Sequence, residues 1–209
     1  MTSVIHDLGP QAWPVYFKEI KDCIESRGIK RILEIGAGES PSLSPDFLMD
    51  FKGVYILSDK RPNLTSEGLT QKRTRIQLDL EKDSSEEQVD LLISKTVVEH
   101  LRYPQRFYSN AWKSLCDGGI MINLFPTLFT LPTLVNKLLP ESLSFTLLRW
   151  LKPRDWEKHG KFPAYYKWAY GPSQKQIRRF RKTGFEVVRY YAFYGHNYYE
   201  NVPILNKLE

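Results

Sequence analysis

Six short runs of β-forming, mostly apolar residues recur along this chain, and their alternation with helical segments limits its fold more than any other feature. They are RILEI (31–35), VYILS (54–58), IQLDL (76–80), VDLLIS (89–94), GIMINLF (119–125) and FEVVRYYAFY (185–194). Strands that are apolar nearly throughout belong to sheets buried on both faces. Between them the period turns helical. Trp13, Phe17, Ile20 and Ile24 recur at helical spacing over 11–27, with Gly28 placed to close the helix. Phe107, Ala111, Trp112 and Leu115 mark a helix over 104–116, and Ser173 opens another that runs to Gly184. The pattern predicts an α/β chain: a doubly wound, mostly parallel sheet with helices on both faces.

One stretch breaks the rhythm. Residues 126–171 separate the fifth strand from the next helix, whereas connections in such units usually take about 2–6 residues. We read 126–171 as a helical and aromatic insertion, a lid on a single domain 1–209 whose core is about 30–125 and 172–209. The net charge of +6 is concentrated nearby. Residues 149–182 carry eleven Lys and Arg against two acids, a larger surplus than that of the whole chain, so the remainder is net acidic. A local basic face attracts anions: an acidic substrate, a lipid headgroup or nucleic acid. Two cysteines, Cys23 and Cys116, exclude a disulfide scaffold and a cysteine-rich zinc module. With no charged leader at the N-terminus and no uninterrupted apolar run of about 18 residues, the expectation is a cytoplasmic protein, with peripheral membrane contact left open.

The chemistry is carried by the first strand's exit, Glu34-Ile35-Gly36-Ala37-Gly38. A strand that turns on glycines lets a ligand lie against bare peptide units. In open α/β sheets that ligand sits beyond the carboxyl ends of the strands, where strand order reverses. A dinucleotide loop wants a third glycine three residues after the second, and here that position is Pro41. The carboxylate of Glu34 disfavours a pyrophosphate and favours a cationic, amino-acid-bearing sulfonium. Asp59, 21 residues after Gly38 at the end of the second strand, is placed to accept from a ribose diol. Asp79, ending the third, is placed to accept from an adenine amine, with the Leu80 N–H beside it.

With these residues in order, the chain resembles the class I S-adenosylmethionine-dependent methyltransferases of small-molecule type. The resemblance covers roughly residues 30–125, through EIGAG, Asp59, the LDL around Asp79, VDLLISKTVVEHL and CDGGIMINLFP. It implies a seven-stranded Rossmann-like fold and methyl transfer from S-adenosylmethionine, with S-adenosylhomocysteine as product. It also implies site roles: Glu34, Gly36 and Gly38 at the methionine end, Asp59 at the ribose, Asp79 and Leu80 at the adenine, and Ser94 and Lys95 on the floor, with Ala37 and Lys60 also among the cofactor-binding residues. Val97-Val98-Glu99-His100 is similar to a stretch that many small-molecule members carry after strand four. Where the ubiquinone-biosynthesis O-methyltransferases add a metal-binding Glu, this chain has Thr96, so no metal is expected. His100 is the candidate general base.

The acceptor is expected against the insertion and the first helix, on an apolar wall drawn from Trp13, Tyr16, Phe125, Phe129, Tyr165, Tyr166 and Trp168. His159, His196 and Tyr198 are polar candidates. Such a wall suits O- or N-methylation of a small molecule with an apolar or aromatic part. Two alternatives stay open: an RNA or protein methyltransferase using the basic 149–182 segment, and a non-catalytic membrane- or protein-binding module on the same fold. Nucleic acid is disfavoured by the lack of an Asn-Pro-Pro-Tyr-like tetrapeptide and of any added nucleic-acid module. Oligomeric state is left undetermined. No final antiparallel strand is legible after residue 194, unless Tyr198–Leu205 supplies a degenerate one.

Overall fold

The structure is a computed structural model, and it describes residues 2–7, 11–61, 73–128 and 163–194. The expected positions Phe129, His159, His196 and Tyr198, most of the 126–171 insertion and the 198–205 segment lie outside these residues. The elements in chain order are β1 (Ser3–Asp7), α1 (Ala12–Arg27), β2 (Arg31–Ile35), α2 (Pro45–Asp50), β3 (Val54–Asp59), β4 (Arg73–Gln77), β5 (Val89–Lys95), a single 3-10 turn (Val98–His100), α3 (Pro104–Ser114), β6 (Leu115–Leu124), α4 (Gln174–Arg181) and β7 (Arg189–Phe193).

The main sheet is parallel, with spatial order β4-β3-β2-β5-β6. From β2 the chain walks outward through β3 and β4, then returns to the other side of β2 for β5. Strand order therefore reverses at β2, and Ile35 at its exit lies opposite both Ser58 and Ser94. The sheet separates two apolar cores. On one face Tyr16, Ile20 and Cys23 of α1 pack on Ile32, Tyr55, Leu57, Leu91 and Ile93. On the other, Phe107, Tyr108 and Ala111 of α3 and Phe180 of α4 pack on Leu33, Ile35, Ile56 and Leu92. Alternate residues of one strand serve opposite cores because successive Cβ atoms point to opposite faces. Each such fully buried Leu, Ile or Phe contributes about 1.5–3 kcal/mol.

Local chemistry sets the ends. Gly28 closes α1 with φ of 63°, a left-handed cap that costs glycine little. Ser44 caps α2 and Ser173 caps α4, each hydroxyl accepting from the backbone N–H three residues on. Proline opens α3 at its first turn, where a missing N–H loses nothing.

The structure corrects several expected boundaries. The third strand runs 73–77, not 76–80, so Asp79 lies in the turn beyond it. This is an edge strand carrying RTRIQ, and edge strands tolerate polar residues that an apolar-run criterion passes over. The fifth begins directly after α3 at Leu115. Its pairing jumps from Val89↔Leu115 to Leu91↔Ile120, leaving a bulge in which Gly118 takes φ of 76°. Only Arg189–Phe193 of the sixth run is strand, and it pairs in parallel with β1 as a separate two-stranded sheet. Among the described residues the main sheet thus has five strands, where the resemblance implied seven. Glu19 of α1 holds β7 in place, accepting from the Arg189 guanidinium at 2.7 Å and the Tyr191 hydroxyl at 2.7 Å. No helix among the described residues is long and apolar enough to cross a membrane.

Candidate active site

The β2 exit forms a tight glycine loop at the point where strand order reverses. Gly36 and Gly38 have φ of 67° and 53°, a region L side chains rarely adopt. Between them the Ala37 N–H donates to the Ser58 carbonyl at 3.0 Å, tying the loop to the end of β3. A Cβ on Gly36 would lie 2.5 Å from Cγ2 of Val97, so the segment after β5 packs directly on the loop. Gly36 itself is exposed, while the Gly38 carbonyl accepts from Arg75 at 3.0 Å.

Glu34 does not stand open beside this loop. Its side chain is 1% exposed, on the α1 face of the sheet with Tyr16 and Tyr55. It accepts from the Ser42 N–H at 2.9 Å, the Ser42 hydroxyl at 2.7 Å and the Tyr55 hydroxyl. The expected electrostatic lure is corrected to an internal brace that folds residues 36–42 back over the strand. Burial raises the Glu34 pKa, and the two Ser42 bonds, with Lys95 and Arg73, pull against that rise. The Tyr16 hydroxyl is raised by burial and then by the Glu34 charge, with Ser42 opposing. Tyr16 is a wall of this brace, buried to 4% exposure, and is not open to an acceptor.

Asp59 ends β3 beside the loop. Burial acts to raise its pKa, but the Arg61 side chain and backbone N–H, with the Gly38 N–H, outweigh it and leave the carboxyl below its ordinary value. Arg61 donates from Nε at 3.1 Å and from its backbone at 3.0 Å. Lys60 is exposed, and its carbonyl accepts from the Gln77 side chain at 3.2 Å. Asp79 caps the turn after β4 by accepting from the Glu81 N–H at 3.0 Å. Leu80 is buried, its carbonyl held by Asn110 at 3.0 Å. Ser94 is buried and donates to Asn123 at 2.7 Å. Lys95 reaches back to the loop, donating to the Ser40 carbonyl at 3.1 Å and lying 5.6 Å from the centre of the Trp13 ring. Trp13, 46% exposed, is thereby brought to the glycine loop.

His100 sits in the 3-10 turn after β5. Its Nδ1 lies 2.9 Å from the Pro163 carbonyl, an acceptor only, so Nδ1 carries the proton in this bond. Nε2 then bears the lone pair, 3.8 Å from Oε1 of Glu99. Burial, opposed by the Pro163 bond and reinforced by the charge of Lys60, holds the His100 pKa below its usual value, keeping it neutral at pH 7. Two backbone donors, Tyr165 N–H at 2.8 Å and Tyr166 N–H at 3.0 Å, converge on the Glu99 carbonyl. This brings the end of the insertion onto the turn. Tyr165 is exposed, but Tyr166 is buried in the α3-side core and is no surface for an acceptor. Phe125 packs half-buried against that same core, as does Trp168, which stacks on Tyr108 at 5.6 Å. Among the described residues no three metal-ligating side chains gather.

Ser42, Tyr55 and Arg61 escaped the sequence reading, and Val97 and Glu99 entered it only within the Val-Val-Glu-His stretch, with no role of their own. Glu99 is 4% exposed, its Oε2 has no hydrogen-bond partner, and burial raises its pKa to about 8, against a small backbone contribution. Its signals in the sequence are its place in the Val-Val-Glu-His stretch and a carboxylate amid apolar residues. An acid with a raised folded-state pKa binds its proton more tightly in the native state, so it erodes stability as pH climbs from about 4.5 toward 8. Glu99→Gln is therefore expected to raise the unfolding midpoint at pH 8 and leave it unchanged near pH 4.5. A gap of that size between pKa values is worth on the order of several kcal/mol at most. Thermal unfolding at the two pH values checks this, and equal shifts at both would refute it.

Neither a family model nor a curated relative matches this chain. Solved structures do. The CurJ carbon methyltransferase superposes with a TM-score of 0.54 over 84% of this chain and 47% of its own length, at 24% identity. The chain shares the Rossmann-like fold of that methyltransferase. The methyltransferase in complex with the Haloferax volcanii Trm112 methyltransferase activator agrees at a TM-score of 0.53, covering 82% of this chain and 68% of that one, at 13% identity. The chain spans about half the length of the CurJ enzyme it matches. Within this methyltransferase fold, the glycine loop after β2 and Asp59 after β3 occupy the strand ends at the switch point, where ligands of open α/β sheets bind.

Proposed function

We propose that this chain transfers a methyl group from S-adenosylmethionine to a small-molecule acceptor at oxygen or nitrogen. One observation carries the reading: a loop with two left-handed glycines, Gly36 exposed, at the switch point of a parallel sheet, with the Asp59 carboxylate beside it. The residues fit the cofactor. Gly36 is exposed at the strand exit, where an amino-acid moiety can approach, and Glu34 braces the loop from beneath. In this reading Asp59 takes the ribose diol, the Asp79–Leu80 turn the adenine edge and Lys95 the floor; Ser94, wholly buried and bonded to Asn123, lies beneath that floor and does not touch the cofactor. When bound, the cofactor supplies an electrophilic sulfonium methyl.

The chain's own part is to align and to hold protons. Well-oriented reactants gain as much as about 7–11 kcal/mol of barrier from positioning alone. His100, neutral and with its Nε2 lone pair set by the Nδ1 bond to Pro163, is the group suited to accept a proton from a hydroxyl or ammonium acceptor. Trp13 and Tyr165, both exposed near the site, are the aromatic surfaces available to an apolar portion of the acceptor.

Calorimetric titration with S-adenosylhomocysteine is the test. Binding in the micromolar range is expected, and intact protein that takes up none would overturn the reading. His100→Ala is expected to keep that affinity while slowing turnover by about 10²–10⁴-fold.

A further inference from the structure

On the α3 side of the molecule an open groove of about 920 Å³ is lined by cations from three separate places in the chain. Lys82 comes from the turn after β4, Arg102 from the loop before α3, Arg106 and Lys113 from α3 itself, and Lys167 from the segment that returns to Glu99. Glu81 is the one carboxylate in the lining, and it is engaged with the Tyr103 N–H. Among the described residues Arg102, Arg106, Lys113 and Lys167 form no ion pair, while Lys82 reaches Asp79 only at 3.8 Å. The charges are arrayed around one ring: Arg106, Arg102 and Lys167 lie 5.0, 5.6 and 5.7 Å from the centre of Tyr103. Holding like charges together without counter-charge costs energy, and a bound anion offsets that cost.

We propose that this groove binds a phosphate-bearing small molecule, and that the phosphate belongs to the methyl acceptor. Two arginine forks match phosphate oxygens in paired geometry, which a lone lysine does not. The volume falls in the range of small-ligand sites, about 300–1,000 Å³. Single-stranded nucleic acid fits less well, because the Tyr103 ring is already attended by three cations and is not a free stacking platform. The link to the acceptor rests on the methyltransferase reading. Tyr103 follows His100 by three residues, and Lys167 directly follows the tyrosines whose N–H groups bond to Glu99. An anchored phosphate thus leaves the rest of the molecule beside the turn that carries His100.

Inorganic pyrophosphate is the probe, titrated by calorimetry into the full chain at low salt, in parallel with S-adenosylhomocysteine. Arg102→Ala/Arg106→Ala is expected to weaken pyrophosphate binding at least tenfold and leave S-adenosylhomocysteine affinity within twofold; both side chains are exposed, so folding should be preserved. Lys167→Ala should weaken pyrophosphate alone by a smaller factor. Pyrophosphate binding that is absent, or equal in the double variant, overturns the groove. So does single-stranded RNA or anionic-vesicle binding that the double variant loses and pyrophosphate does not displace. Loss of S-adenosylhomocysteine binding by the wild type with pyrophosphate binding intact would instead remove the methyltransferase reading and leave the anion site standing.

Discussion

Asp59→Ala is expected to lower affinity for S-adenosylhomocysteine by about 100-fold, because a carboxylate accepting from a diol makes two charge-assisted bonds at about 1.5–3 kcal/mol each. The full sum is not expected, since Asp59 already holds Arg61 through its side chain and backbone. A ligand must displace at least the side-chain part. That competition gives a paired expectation: Arg61→Ala leaves affinity unchanged or improves it, the opposite sign from its neighbour. Asp59→Asn keeps the shape and one acceptor, and should fall between. Calorimetry on the three variants decides the point; an Asp59→Ala protein that is folded yet binds like wild type would take Asp59 out of the site.

Glu34→Leu is expected to be the most destabilising single change near the loop, by about 3–5 kcal/mol, since each buried polar group left unpaired costs about 1–3 kcal/mol. Three donors converge on this carboxylate, the Ser42 N–H, the Ser42 hydroxyl and the Tyr55 hydroxyl, and leucine satisfies none. Glu34→Gln retains an acceptor oxygen and should cost about 1–2 kcal/mol. Denaturant unfolding of the pair measures the difference. If leucine is no worse than glutamine, the brace is not what holds the loop. Cofactor affinity should fall with the brace, because Gly36 and Gly38 keep their left-handed geometry only while residues 37–42 are tied down.

Much of the scaffold was legible in the chain itself. The runs at 31–35, 54–58 and 89–94 appear as strands at nearly the expected boundaries because they are buried on both faces, where apolar character and strand propensity coincide. The RTRIQ edge strand was misplaced because one side of it faces solvent and polar residues are free to occupy it. The β1–β7 pairing was not legible at all. Ser3–Asp7 carries no distinctive pattern, and its partner lies more than 180 residues away.

The candidate site divides in the same way. Glycines at 36 and 38 followed by an acid at a second strand's end form a local pattern, since backbone freedom and charge belong to the residue wherever it sits. Residue order alone therefore puts forward the loop, Asp59 and His100 as candidates. Which way each side chain faces is a matter of packing between distant segments. Burial turned Glu34 from a lure into a brace, placed Arg61 on Asp59, enclosed Glu99 and set the His100 tautomer through Pro163. The cationic groove likewise exists only because three remote stretches meet around Tyr103, and long-range electrostatics depends on distances that no linear reading supplies.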